Sequence, residues 1–193
     1  MSIKGLFGDL RDYLSMKPDD AVRDFVGDFD WNLIPRNLAP NTLPVAGQLE
    51  GAAEHSSGWE KRIVEALATN RQSLHWGQNF AATDFGQAFA DNYGFIEMLG
   101  TRGAYQSGDM AGGFLVLGPM QHFPSHRQVA EELCIPLTAG SYWMRDGGAF
   151  EERKVGEVIV HDSNEPHAIE TPDAPLVAIY LWRDGDLAQK PET

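Results

Sequence analysis

Cysteine is almost missing. Cys134 is the single thiol in 193 residues, so no internal disulfide can staple the chain, and its stability has to come from a packed core. Basic residues are scarce as well. Fifteen Lys and Arg stand against 28 Asp and Glu, a formal net charge of −13; a surface of that sign repels the phosphates of nucleic acids and of anionic membranes, so neither is expected as a partner. No apolar run is long enough to cross a bilayer, and Met1-Ser2-Ile3-Lys4-Gly5 lacks the charged-then-apolar layout of a signal peptide. A cytoplasmic protein is the expectation. Internal repeats, low-complexity tracts and separable linkers are lacking too, which leaves one compact unit.

What is present divides near residue 92. Before it, Ile3, Leu6, Phe7, Leu10, Tyr13 and Leu14 recur at helical spacing. A second helix is predicted from Pro18-Asp19-Asp20 to Gly27, a third from Trp59 to about His75, and a short one from Thr83-Asp84-Phe85 carrying Ala88 and Phe89. The prolines at 36, 40 and 44 make residues 30–58 an ordered loop. From Tyr93 onward, short apolar runs bounded by Gly and Pro predict an antiparallel β array closing as a barrel or jelly roll, with Asp146-Gly147-Gly148 as a turn. The expected organisation is a helical N-terminal extension over 1–92 packed on a β-barrel over 93–193.

The chemistry gathers in two stretches, His122-Phe123-Pro124-Ser125-His126-Arg127-Gln128 with Glu132 and Cys134, and His161-Asp162-Ser163-Asn164-Glu165-Pro166-His167. Strand alternation puts His122, His126, Gln128, Glu132 and Cys134 on one face. Imidazoles and a carboxylate converging there suit a divalent first-row metal, with His167 closing the set from a second strand. The expected ligands are therefore His126, Gln128, Glu132 and His167. An ionised Glu132 inside a barrel itself calls for a cation. His161 reads as structural or exposed.

Gly118 … His126-x-Gln128-x-x-x-Glu132 … Gly140 resembles the first cupin motif, and Gly156 … Asp162-Ser163-Asn164-x-x-His167 resembles the second. The fold class implied is mainly β, a cupin (double-stranded β-helix or jelly-roll) barrel. Phe123-Pro124-x-His126 with Ala130-Glu131-Glu132, and the run Ser163 to Leu176 leading into Trp182-Arg183-Asp184-Gly185-Asp186-Leu187, resemble the dimethylsulfoniopropionate (DMSP) lyase and lyase-like cupins. That resemblance implies a bound divalent metal ion, zinc foremost with iron, manganese or nickel as alternatives, and β-elimination on DMSP or a related small carboxylate, giving dimethyl sulfide and acrylate from DMSP. In that family Gln128 would be a histidine, and Phe123 and Cys134 would be tyrosines, one of them thought to be the base. With those phenols gone, Cys134, Tyr142 and His122 are the candidate catalytic residues by strand parity, while Tyr180 and Trp182 could face a sulfonium cation. Another metal-cupin enzyme, an isomerase or dioxygenase, is the alternative, as is a non-catalytic cupin that binds a small ligand. A homodimer contact through the N-terminal helices is a further expectation.

Overall fold

The computed structural model describes residues 2–193; Met1 lies outside the described residues. Helix α1 (Ile3–Met16) starts where the Ser2 hydroxyl accepts the Gly5 amide, and it buries Leu6, Phe7, Leu10, Tyr13 and Leu14. Asp19 caps α2 (Asp20–Val26) by accepting the Ala21 and Val22 amides. The stretch expected as a loop holds a two-residue strand, β1 (Ile34–Pro35), a 3-10 turn (Pro44–Gln48) and the short α3 (Leu49–Ala52). Helix α4 (Gly58–Asn70) stops five residues before the predicted end, and the Trp76 indole, donating to the Arg71 carbonyl, holds the turn that follows. The predicted short helix is two, α5 (Ala82–Phe85) and α6 (Gln87–Asp91). Gly86 separates them at φ +87°, a conformation outside the helical region. No helix among the described residues is long and apolar enough to cross a membrane.

The strands follow as β2 (Tyr93–Gly100), β3 (Tyr105–Gln106), β4 (Met110–Leu117), β5 (Gln121–His126), β6 (Glu131–Pro136), β7 (Ser141–Arg145), β8 (Glu151–Arg153), β9 (Ile159–His161), β10 (His167–Thr171) and β11 (Leu176–Arg183). They form two sheets, a seven-stranded one in the order β1-β3-β2-β4-β11-β6-β9 and a four-stranded one in the order β5-β10-β7-β8. The pairing is antiparallel apart from β2 with β3. This is the cupin jelly roll, although the strand pairing leaves it as two sheets and does not close it into a continuous barrel.

Period-2 alternation sorts the long strands between two cores. Along β11, Val177, Ile179 and Leu181 pack outward with the helices, while Leu176, Ala178, Tyr180 and Trp182 face the smaller sheet. Ile96 and Met98 of β2 join the outer core, and Tyr93 and Phe95 the inner one. The site lies in the inner layer.

Candidate functional site

Two cross-strand pairs, one from each sheet, meet between the layers. In the large sheet Glu132 of β6 lies opposite His161 of β9, and Trp182 of β11 lies opposite Glu132 on its other side. In the small sheet His126 of β5 lies opposite His167 of β10. Directly opposed residues project to the same face, so each pair presents its side chains together. The His167 ring is 4.1 Å from that of His161 and 4.3 Å from that of His126.

Glu132 is the hub. Its Oε1 accepts the Trp182 indole N–H at 2.9 Å, and its Oε2 meets His167 Nε2 at 3.0 Å and accepts from the Gln128 amide at 3.3 Å. Burial by itself would raise its pKa. The hydrogen bond and charge of His167, the charge of His161 and the Trp182 donor outweigh that and hold it at about 2. His167 is the reciprocal case: burial favours its neutral form, but Glu132 raises its pKa on balance. Burial and the neighbouring His167 push His126 down to about 3, and its Nδ1 is engaged by the Pro124 carbonyl at 2.8 Å. Burial and His167 likewise bring His161 down to about 4.

Glu132, His161 and His167 offer ligand atoms that all lie within 4.8 Å of one another. Both ring nitrogens of His161 are buried with no hydrogen-bond partner, as is Oε1 of Gln128. Leaving such an atom unsatisfied costs about 1–3 kcal/mol. Unpartnered nitrogen and oxygen donors beside a deprotonated carboxylate fit a divalent cation, and this donor set of imidazole and carboxylate suits a first-row metal. Glu165 supports two of the imidazoles. Its carbonyl lies 2.9 Å from His167 Nδ1, which leaves Nε2 for the cluster, and its carboxylate, held by Arg145, lies 3.7 Å from His161 Nδ1.

The centre opens on a small cavity of about 50 Å³. Tyr93, Phe95, Phe123, Trp143, Tyr180 and Trp182 supply its aromatic wall, and Glu97 and Arg102 also line it. Cys134 reaches it directly opposite Tyr180. The Cys134 thiol is pushed well up by burial and by the charge of Glu132, and burial also pushes up the Tyr180 phenol.

The structure thus brings His126, Gln128, Glu132, His167, Cys134, Tyr180 and Trp182 together, and it corrects two expectations. His122 is 56% exposed and pairs with Glu170 on the outer surface. The parity argument failed at a β-bulge: His126 and Phe123 of β5 stand opposite His167 and Ile169 of β10, three residues spanning two, so Phe123 takes the inward position. Tyr142 stands opposite Glu170 and Glu152, and its neighbour Trp143 lines the cavity instead. The sequence reading missed His161, which is wholly buried. Its strand is three residues long, too short for alternation to register; the usable signal was its place one motif-length before His167.

Comparison with known proteins gives consistent matches. The dimethylsulfoniopropionate lyase family model matches residues 29–178. Dimethylsulfoniopropionate lyase DddQ of Ruegeria pomeroyi is 25% identical over 173 residues, 90% of this chain and 85% of that protein. The crystal structure of DddQ from Ruegeria pomeroyi DSS-3 superposes with a TM-score of 0.89 at 24% identity, covering 98% of this chain and 94% of that one. One from a study of the DMSP lyases RdDddP and RnDddQII superposes with a TM-score of 0.91 at 21% identity, covering 99% and 96%.

Proposed function

The chain belongs to the dimethylsulfoniopropionate lyase family, and on that footing we propose that it is a metal-dependent carbon–sulfur lyase that eliminates dimethyl sulfide from DMSP or a closely related small carboxylate. The observation that carries this reading is the buried group of Glu132, His161 and His167 at the base of a small aromatic cavity. Those three residues would hold the ion, with Gln128 Oε1 beside them and His126 packed against His167. Bound there, a divalent ion supplies stabilisation of the negative charge that develops on the substrate's carboxylate. Zinc is our first choice, since imidazole and carboxylate suit it.

The chain's own groups do the rest. Elimination needs a base to take the proton on the carbon next to the carboxylate; the electron pair of that C–H bond becomes the new C=C bond, and the C–S pair leaves on sulfur. Burial and the charge of Glu132 push the Cys134 thiol well up, so it keeps its proton. Tyr180, opposite it on β11, faces the same cavity. We therefore assign the proton acceptor to Tyr180, acting as its phenolate once its own proton has passed to solvent: burial, with Glu97 and Glu132 near it, pushes its pKa well up, so that phenolate is strongly basic. Trp182 fixes Glu132, and Phe123 and Trp143 keep water from the reacting carbon.

The test pairs elemental analysis of protein purified without added metal with an assay of dimethyl sulfide and acrylate from DMSP. The expected result is close to one metal ion per chain and the two products in equal amounts. Metal without either product overturns the substrate assignment; no metal after reconstitution overturns the centre.

A further inference from the structure

The metal cluster leaves a buried carboxylate of the cavity unused. Glu97 sits on β2, whose alternation directs Tyr93, Phe95 and Glu97 into the cavity. The register of the large sheet sets Glu97 opposite Gly113, Gly113 opposite Tyr180, and Tyr180 opposite Cys134, one line across four strands. Glu97 and Tyr180 are thus two strands apart, about 10 Å between backbones, and the residue between them has no side chain. Both side chains line the cavity, the phenol from β11 and the carboxylate from β2.

The fold makes room for that carboxylate. The pairing of β2 with β4 slips between Glu97 and Leu99, and Gly100 adopts φ +139°, where a Cβ would collide with Glu97 Oε1. Oε1 accepts the Arg102 backbone N–H at 2.8 Å, and Oε2 meets Arg102 Nε at 3.1 Å. The two charges do not cancel inside the cavity. The Glu97 side chain is 5% exposed and that of Arg102 is 42% exposed, its guanidinium lying over the Phe95 ring toward solvent. Water screens the cation more than the anion, and at the Tyr180 hydroxyl the influence of Glu97 exceeds that of Arg102.

We propose that Glu97, with Phe95 and Tyr180, is the recognition site for the positively charged end of the substrate, so that the cavity selects small acids carrying an onium head over neutral acids of the same shape. The inference rests on the functional reading above, which sets the substrate's carboxylate toward the histidine cluster. A cation then comes to rest against aromatic faces and a buried carboxylate at the other end, where each attracts it.

Two isosteric probes test this without turnover. Dimethylsulfonioacetate has no β-carbon and cannot undergo the elimination, and 3-methylbutanoate matches its shape without the charge. Binding of each to the metal-loaded protein is measured by calorimetry. The intact protein is expected to prefer the sulfonium acid by about tenfold, roughly 1.4 kcal/mol. Glu97→Gln, which keeps the size of the side chain, removes that preference while leaving 3-methylbutanoate binding in place, and Arg102→Ala increases the preference. No preference in the intact protein, or a preference unchanged in Glu97→Gln, overturns the proposal. So does equal weakening of both probes in Arg102→Ala, which would make Arg102 a carboxylate anchor instead. A protein that prefers the sulfonium probe but releases no dimethyl sulfide from DMSP keeps this inference and loses the lyase reading. One that releases dimethyl sulfide yet shows no preference does the reverse.

Discussion

The two faces of the seven-stranded sheet are made by the same strands and differ in almost everything else. On the outer face, Val177, Ile179 and Leu181 of β11 meet Leu10, Val22, Ile63 and Leu67 of the helices in an apolar core. On the inner face stand Glu97, Glu132 and His161, and the small sheet sets His126 and His167 against them; together these are all five of the buried glutamates and histidines among the described residues. Burying such groups disfavours folding unless they are paired, so the apolar face stabilises a scaffold on which the other face can keep costly chemistry. Function and stability should therefore separate by strand parity.

The largest expected effect breaks the inner face. Glu132→Ala or His167→Ala should strip the metal and lower elimination by at least about 100-fold, the scale on which even the supporting residues of metal sites act. His161→Ala should lose more metal than Gln128→Ala, as read by elemental analysis. Next, Tyr180→Phe should lower kcat by about 100-fold or more with metal content unchanged, while Cys134→Ser keeps most of the rate; the opposite ranking would return the base to the thiol. One residue away on the same strand, Ile179→Ala should cost about 2–5 kcal/mol of stability in denaturant unfolding yet leave the metal content of the folded protein intact. Loss of metal there would show that the two faces are coupled.

Acid gives a gentler test of the inner face. Burial holds His126 at about 3 and His161 at about 4 against an ordinary 6.5, so between pH 6.5 and 4 the unfolded chain takes up protons that the folded one refuses. Metal-free protein should accordingly lose melting temperature as pH falls through that window. Glu132, held at about 2, extends the loss below pH 4.5. His167 acts in the opposite sense, since its raised pKa gives stability that fades as pH rises, and His161→Phe should flatten the acid slope. The smallest effects belong to His122→Gln and Tyr142→Phe, within about 0.5 kcal/mol in stability and without change in turnover.

How much of this was legible depended on strand length and regularity. In β6 and β11 alternation runs unbroken, and Glu132, Cys134, Tyr180 and Trp182 could be put on one face from the sequence alone. In β5 one extra residue reversed the parity and misplaced His122. Strand β9 offered too few positions for any period, so His161 stayed hidden although it lies opposite Glu132. Glu97 was invisible for another reason: its row with Tyr180 depends on the register between β4 and β11, which lie far apart in the chain, and no local pattern encodes that.

The double duty of Glu165 has a kinetic consequence. Its carbonyl orients one imidazole and its carboxylate faces another, and both belong to the turn between β9 and β10. A fluctuation of that turn displaces His161 and His167 at once, so their ligation is gained and lost together. Metal exchange against a chelator should then follow a single exponential set by the opening rate of one turn, with no long-lived species attached through only one of the two rings.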